Sequence, residues 1–320
     1  MEEEAAAAPL DPGVLGEEAP ASVPRARDRL LQRIHEARDF EGMMRVVERD
    51  AGAMAAHHLM AVVNCIVDQL QANGALDEQL RDAMHADGRF RLLLTQLVRR
   101  HRQLSAKDVV TVVQMLQYAR VPDTSRVHLF FLQRLHDGLD EVSFGTLLFA
   151  GQMLLRYPAT GNTLVNGLRA AIPGAFEGRL AGELDTDSIQ DMSRALSVVA
   201  NYRDHIRQPA CQPLYDALNR WVHHHETDPA LPTVLPPHAA AELLIRMERA
   251  AYLSHPVVDM VLQLLGNSHA RSVRPETMRK LFQSVRNLRR KYPAEFPPAH
   301  RLHALETEMT ASLPDATTGR

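Results

Sequence analysis

The chain has few aromatic residues and very few cysteines. Phe, Trp and Tyr make up 5% of its 320 residues, while Ala, Leu, Val, Arg and Gln are abundant, which favours helices over strands. Its two cysteines, Cys65 and Cys211, are far apart in sequence and define neither a disulfide framework nor a CxxC metal site. We therefore expect an all-α protein in a reducing compartment.

The chain also lacks a strong charge of either sign and a long apolar run. A formal net charge of −3 excludes a surface that is basic everywhere. No stretch approaches the roughly 18 apolar residues of a membrane span, so no membrane contact is expected. The first residues resemble neither a secretory signal nor a transit peptide, which indicates a cytosolic location or a presequence missing from this numbering.

Sequence motifs for catalysis are missing as well. GxGxxG, GxxxxGK[ST] and GxSxG do not occur, which removes the usual phosphate cradles and the nucleophile elbow. The run His223–His225 lacks the spacing of metal ligands, and so does the pair His57 and His58 with Cys65. We expect a solvated helix end at the first and no metal at either. The sequence predicts no enzyme, no cofactor and no small-molecule substrate.

The chain does contain a repeated phrase: a Leu or Val, a polar spacer, a capping or small residue, then a helical apolar run that ends near a basic residue. The five copies are LSAKDVVTVVQMLQYAR from Leu104, LDEVSFGTLLFAGQMLLR from Leu139, LDTDSIQDMSRALSVVANYR from Leu184, LPPHAAAELLIRMERAAYL from Leu235 and VRPETMRKLFQSVRNLRRK from Val273. Their starts are 35 to 51 residues apart (139 − 104 and 235 − 184), a spacing typical of one helical hairpin per repeat. The sequence therefore predicts an α-solenoid of stacked helical hairpins.

Aligning the five copies places apolar residues in two columns three positions apart. The first column is Val109, Phe144, Ile189, Ala240 and Met278, and the second is Val112, Leu147, Met192, Leu243 and Leu281. Residues three apart share one face of a helix, so these columns predict the buried face of the first helix in each hairpin.

The changes in composition predict four regions. They are a disordered acidic N-terminal arm at 1–23, degenerate helical pairs at 24–103, a helical-repeat array at 104–306 and a disordered tail at 307–320. The first eighteen residues contain six acidic residues and no Lys or Arg, a composition that cannot bury a core. Within the array, 174–182 and 226–237 are interpreted as insertions between repeats.

Basic residues recur near the end of the first helix of four repeats, at Arg120, Arg156, Arg203 and Arg289. In a stack they would form a row along one edge, about 10 Å apart, which suits the phosphates of a single strand. The alternative is that they only complement the helix dipoles. The complete set of predicted RNA-binding residues is Arg120, Arg156, Arg203, Arg286, Arg289, Arg290 and Lys291, with amides at Gln114, Gln117, Gln152 and Asn201 for base edges.

The phrases LSAKDVVTVVQMLQYARVPD, from Leu104, and LDEVSFGTLLFAGQMLLRYP, from Leu139, resemble the helical-repeat region of FAST kinase domain-containing proteins and their octotricopeptide and heptatricopeptide relatives. The resemblance covers about Leu104 to Pro293. It implies a mitochondrial protein that binds RNA or an RNA-processing or ribosome-related assembly. Only 27 residues follow Pro293 (320 − 293), so we do not expect the RAP domain common in those proteins here, and nothing in the sequence supports kinase activity.

Taken together, these features predict a non-catalytic protein that binds single-stranded RNA beside other proteins of a mitochondrial ribonucleoprotein complex. The alternative is a scaffold for proteins of a mitochondrial complex without direct RNA contact. Near-neutral charge and few aromatic residues for base stacking keep this second function open.

Overall fold

The structure, a computed structural model, describes residues 28–37, 39–72, 78–158, 161–266, 273–297 and 299–312. Within these ranges the chain forms sixteen α-helices and no strand, which confirms the all-α class. The helices are α1 (Arg29–Glu36), α2 (Phe40–Asp50), α3 (Ala56–Ala72), α4 (Glu78–Ala86), α5 (Gly88–Arg99), α6 (Ala106–Tyr118), α7 (Arg126–Asp137), α8 (Phe144–Leu154), α9 (Thr163–Glu183), α10 (Ile189–Asn201), α11 (Gln212–His225), α12 (Leu231–Val234), α13 (Pro237–Arg249), α14 (His255–Gly266), α15 (Pro275–Lys291) and α16 (Arg301–Ser312).

The helices pack in two layers. Layer A contains α1, α3, α6, α8, α10, α13 and α15, and each of these helices contacts the next one in this order. Layer B contains α2, α5, α7, α9, α11, α14 and α16, stacked in the same way. Each layer A helix also packs on one layer B partner. The short helix α4 lies in the connection between α3 and α5, and α12 lies in the connection between α11 and α13. This is the predicted α-solenoid.

The two predicted apolar columns lie on the inner face of layer A. Nine of their ten residues are buried, and Met278 is half-buried. Packing is closest between α8 and its neighbours, where a Cβ added at Gly151 would lie 3.3 Å from Ile172 and 3.5 Å from Val198. A side chain there would force α8 away from α9 and α10.

Three layer A helices begin at the same residue type in the repeat. Ser105, Ser143 and Ser188 cap α6, α8 and α10 by accepting a backbone N–H of the first turn. At α6, Asp108 also accepts the backbone N–H of Ser105 at 2.9 Å, completing a capping box. The polar spacer of the repeat therefore sets where each of these helices starts.

Two layer A helices end in a left-handed residue that is not glycine. Arg120 after α6 and Ala251 after α13 have φ of 53° and 54°. In the first, Val121 donates its backbone N–H to Leu116 O at 2.9 Å, which closes a Schellman turn. Arg120 is thus part of a helix terminus as well as a predicted site residue.

The segment 174–182 is not the insertion predicted from its glycines. It continues α9, which runs unbroken from Thr163 to Glu183 with Pro173 inside it. Ile172, Phe176 and Leu180 recur every four residues and are almost fully buried, so packing along the helix outweighs the weak helix propensity of Gly and Pro.

Two other parts of the array also differ in detail from the prediction. The segment 226–237 contains the short helix α12, and α16 extends to Ser312, beyond the predicted end of the array at 306. The predicted arm at 1–23 lies outside the described residues. No described helix has the length and apolar character needed to cross a membrane.

Candidate functional site

The first three predicted arginines follow the ends of neighbouring layer A helices. Arg120 lies just after α6, Arg156 just after α8 and Arg203 just after α10. These ends are in contact: Gln117 donates its side-chain N–H to Met153 O at 3.2 Å. The repeat spacing therefore placed these three arginines on a shared edge, as the two-layer stacking requires.

The charges on this edge are engaged within the protein. Arg120 lies 2.6 Å from a carboxylate oxygen of Glu78 in α4. Arg156 donates to the hydroxyl of Tyr118 and holds its guanidinium 5.5 Å from the centre of that ring. Arg203 lies 3.8 Å from Asp204. These contacts leave less free positive charge on the edge than the sequence suggests.

The remaining predicted residues belong to the last layer A helix. Arg286 and Arg289 of α15 both pair with Glu306 of α16, the first at 3.7 Å. Lys291 lies 3.3 Å from Glu248 of α13. Arg290 is exposed and has no carboxylate partner among the described residues. The cluster is therefore basic, but most of its members join α15 to neighbouring helices.

A groove of about 800 Å³ crosses the outer face of layer A from α3 over α6 to α8. Most of its polar lining consists of amides and hydroxyls, from Asn64, Gln71, Thr111, Gln114, Ser143 and Thr146. Its charged residues are Asp68, Lys107 and Arg194. Of the amides predicted from the sequence, only Gln114 lines this groove.

Phe149 of α8 lies in this groove with 37% of its surface exposed, which is unusual for a large apolar side chain in this structure. Phe149, Lys107 and Arg194 are not among the RNA-binding residues predicted from the sequence. The helix FGTLLFAGQML is apolar on nearly every side, so its sequence contains little to distinguish outward Phe149 from buried Leu148.

Tyr118 lies where the groove meets the arginine edge. Although burial raises the pKa of its hydroxyl, hydrogen bonds from Gln114 and Arg156 outweigh that effect and lower the pKa. A hydroxyl that already accepts from two side chains is an anchor for Arg156. The guanidinium is thereby held at the end of the groove.

A histidine cluster joins the N-termini of α1 and α3. His58 accepts the backbone N–H of Ala55 at Nδ1 (3.0 Å), so its Nε2 bears the proton and donates to Asp28 at 2.6 Å. His57 Nε2 is 3.2 Å from the same oxygen, whereas Cys65 takes no part. Hydrogen bonds from the first turn of α1 and from His58 lower the pKa of Asp28. A protonated nitrogen is not a metal ligand, so these contacts favour a helix cap.

The histidine run at the end of α11 serves the structure locally. His225 stacks on Trp221 with ring centres 4.2 Å apart and bonds to its carbonyl oxygen at 2.8 Å. His223 and His224 are exposed. The three rings do not converge on one point, so this run does not form a ligand set.

Comparison with known proteins finds no matching family model, no matching curated protein and no matching solved structure. The surface chemistry of the chain is therefore what bears on its function. An open groove with amides, hydroxyls and one exposed ring suits a chain-like ligand that lies across several helices.

Proposed function

We propose that this chain is a non-catalytic helical-repeat protein that binds single-stranded RNA in the groove over α3, α6 and α8. The single observation that supports this function best is the exposed ring of Phe149 among amide and hydroxyl side chains. Bases of a single strand stack on aromatic rings and form hydrogen bonds with such groups. An open groove can also admit a long strand, which an enclosed pocket cannot.

Positive charge in and near the groove supports the attachment of phosphates. Lys107 and Arg194 belong to its lining. Lys107 has no carboxylate partner among the described residues, whereas Arg194 pairs with Asp191 at 2.7 Å. Arg156 is held near the end of the groove by Tyr118. We expect modest phosphate attachment here, supplemented by α15, and not the uninterrupted row of free arginines that the sequence indicates.

The mitochondrial setting of this proposal depends on the resemblance of the repeat phrases to organellar RNA-metabolism proteins. The partners proposed on that basis are RNA and other proteins of an RNA-processing or ribosome-related assembly. No catalytic group is proposed.

Binding of a fluorescent single-stranded RNA to the full chain tests the function. We expect Phe149→Ala to weaken binding about tenfold, because base stacking on an aromatic ring contributes about 1–3 kcal/mol. The matched control is Val234→Ala, which truncates the other exposed large apolar side chain among the described residues. Both side chains are exposed, so neither change should unfold the protein.

Salt dependence tests the phosphate contacts separately. The double variant Lys107→Gln/Arg194→Gln should reduce the log-log salt slope by about 1.4, since each single-strand phosphate contact contributes about 0.7. Arg220→Gln, on the exposed surface of α11, should leave the slope unchanged. No binding at low salt, or equal binding by the Phe149→Ala variant, would refute the RNA proposal.

A second function is favoured by the engaged arginines of the edge. The groove itself is close to neutral, because Arg194 pairs with Asp191 and the charge of Lys107 is balanced by Asp68 in the same lining. Its amides suit the backbone of an extended protein segment, so a scaffold for proteins without direct RNA contact is the alternative. In that case a partner should stay bound in an organelle pull-down after RNase treatment, should be lost with Phe149→Ala, and free RNA should not bind.

A further inference from the structure

A second cleft lies in layer B, between α5 and α7, and has a volume of about 520 Å³. Its floor is apolar and its rim is basic. The floor contains Leu94, Val98, Val127 and Phe130, and the rim contains Arg91, Arg99 and Arg126. The only neutral polar side chain in the lining is Thr95.

The three rim arginines differ from the arginines of the layer A edge because their charges are unpaired. Arg91, Arg99 and Arg126 are exposed, and none has a carboxylate partner in the part of the chain that the structure describes. Free guanidinium groups around an apolar floor form a surface that attracts carboxylates or phosphates and also buries apolar groups.

Arg126 has no evident role in stability. It is the first residue of α7, where the positive end of the helix dipole disfavours a cation. Ser125 already caps the helix by accepting the His128 N–H, so Arg126 is not needed for capping. A cation at an unfavourable position without a carboxylate partner among the described residues is a candidate contact for an external anionic group.

The lining favours an acidic protein segment over RNA. Base edges present several donors and acceptors, and Thr95 alone cannot satisfy them. Aliphatic side chains, by contrast, pack well on Leu94, Val98 and Val127. The fitting occupant is a short segment that combines carboxylates with two or three large aliphatic residues.

The chain itself contains such a segment. Residues 10–18, LDPGVLGEE, belong to a stretch without Lys or Arg that extends from residue 1 to 24. This segment carries three carboxylates and three large aliphatic side chains: Asp11, Glu17 and Glu18, and Leu10, Val14 and Leu15. We propose that residues 10–18 dock in the α5/α7 cleft of the same chain.

The connection is long enough for this contact. Residues 19–27 join the segment to the start of α1, and nine extended residues span about 30 Å. The start of α1 is separated from the cleft by α2, which packs on α5. At about 8–10 Å per helix this distance is within reach. A short tether also gives an effective concentration of about 1 mM, so weak individual contacts suffice.

Competition with a dye-labelled peptide of residues 8–20 tests the contact in the full chain. The arm variant Leu10→Ser/Val14→Ser/Leu15→Ser should bind the peptide about tenfold more tightly than the unmodified chain, because its own segment no longer competes. Adding Arg91→Gln/Arg99→Gln/Arg126→Gln to the arm variant should abolish this gain in peptide affinity.

The matched control replaces three exposed arginines elsewhere, Arg220→Gln/Arg249→Gln/Arg279→Gln, and should preserve the gain. Equal peptide binding by the unmodified chain and the arm variant would overturn the proposal, as would a cleft triple variant that still binds. A doubled mass in sedimentation that disappears in the arm variant would assign the contact to a second copy and overturn the intrachain one. Binding of RNA lost only in the cleft variant would overturn it in favour of RNA.

This contact is independent of the RNA proposal, because the cleft and the groove lie in different layers. The cleft variant does not change Phe149, and Phe149→Ala does not change the cleft. The two experiments can therefore fail separately.

Discussion

The central hairpins and the last hairpin of the stack are joined to their neighbours by different kinds of contact. In the centre, His128 of α7 is 1% exposed and bonds to Val121 O at 3.0 Å and to the Tyr157 hydroxyl at 2.6 Å. In the last hairpin, α15 and α16 are joined by ion pairs of Arg286 and Arg289 with Glu306, near the surface. Apolar packing is common to both regions, but buried directional bonds add to it in the centre and ion pairs near the surface add to it at the end.

Other contacts in the centre are also hydrogen bonds from side chains to backbone carbonyl oxygens. Arg169 of α9 donates to Leu154 O and to Tyr157 O at 2.8 and 2.6 Å, so it caps the end of α8. Tyr202 donates to Gly151 O at 3.1 Å across α8 and α10. The helix α8, which carries Phe149, is thus joined to its neighbours by buried hydrogen bonds, which suits a surface that must present Phe149 in one position.

The largest expected effect is the loss of the central histidine. His128→Leu leaves the Tyr157 hydroxyl and the Val121 carbonyl without their buried partner, so we expect the free energy of unfolding to fall by about 2–3 kcal/mol. Tyr157→Phe removes one bond and leaves the histidine with its backbone bond, so it should cost about 1 kcal/mol. Urea denaturation followed by circular dichroism measures both.

The matched change in the last hairpin is Arg286→Gln, which removes an exposed member of an ion pair. It should cost about 0.5 kcal/mol or less. If His128→Leu were no more destabilising than Arg286→Gln, the centre would not be held by its buried bonds, and the contrast between the two regions would be wrong.

The contrast also shows which features a sequence can supply. Helical spacing and the two apolar columns were enough to predict the class and the stacking, because burial of one helix face repeats with the sequence. The partners of Arg120 and Arg289 were not predictable: Glu78 belongs to the short helix α4 between α3 and α5, and Glu306 belongs to the last helix. Such pairs depend on tertiary geometry, which no periodicity in the sequence encodes.

The candidate groove was predictable only in part. Gln114 was among the amides predicted to meet base edges, and it does line the groove. Phe149 was missed because apolar residues on an apolar helix are expected to be buried. Likewise α9 was predicted too short, since glycines were weighed more heavily than the buried column that contains Phe176.

Acid pH should destabilise the protein through the buried His128, which lies in the centre of the stack. Burial lowers the pKa of His128 below its usual value of about 6.5, against the raising effect of its bond to Val121. The unfolded chain therefore binds a proton that the folded chain does not. Stability should be complete above pH 6.5 and should decline as the pH falls below it, by at most about 1.4 kcal/mol per pH unit.

Denaturation midpoints between pH 7.5 and 5 measure this decline. The His128→Leu variant is the control, because it has no proton to gain at this position and should show a flatter profile over the same range. A decline of equal steepness in the variant would mean that other groups cause it, and that His128 does not distinguish the centre from the end.

A smaller effect than that of His128→Leu is expected at Glu306 in the last hairpin, where salt is the diagnostic variable. Glu306 is 18% exposed and receives both Arg286 and Arg289, so Glu306→Gln should lower the free energy of unfolding by about 1 kcal/mol at low salt. At 1 M salt the screening length falls to about 3 Å, and the difference from the unmodified chain should largely vanish. The cost of His128→Leu should stay the same, because its partners are neutral and buried.

Glu276→Gln, which breaks an exposed pair with Lys280 within α15, controls for charge removal alone and should have the smaller effect. A Glu306→Gln cost that persists in 1 M salt would mean that packing and hydrogen bonds hold the last hairpin, as they hold the centre.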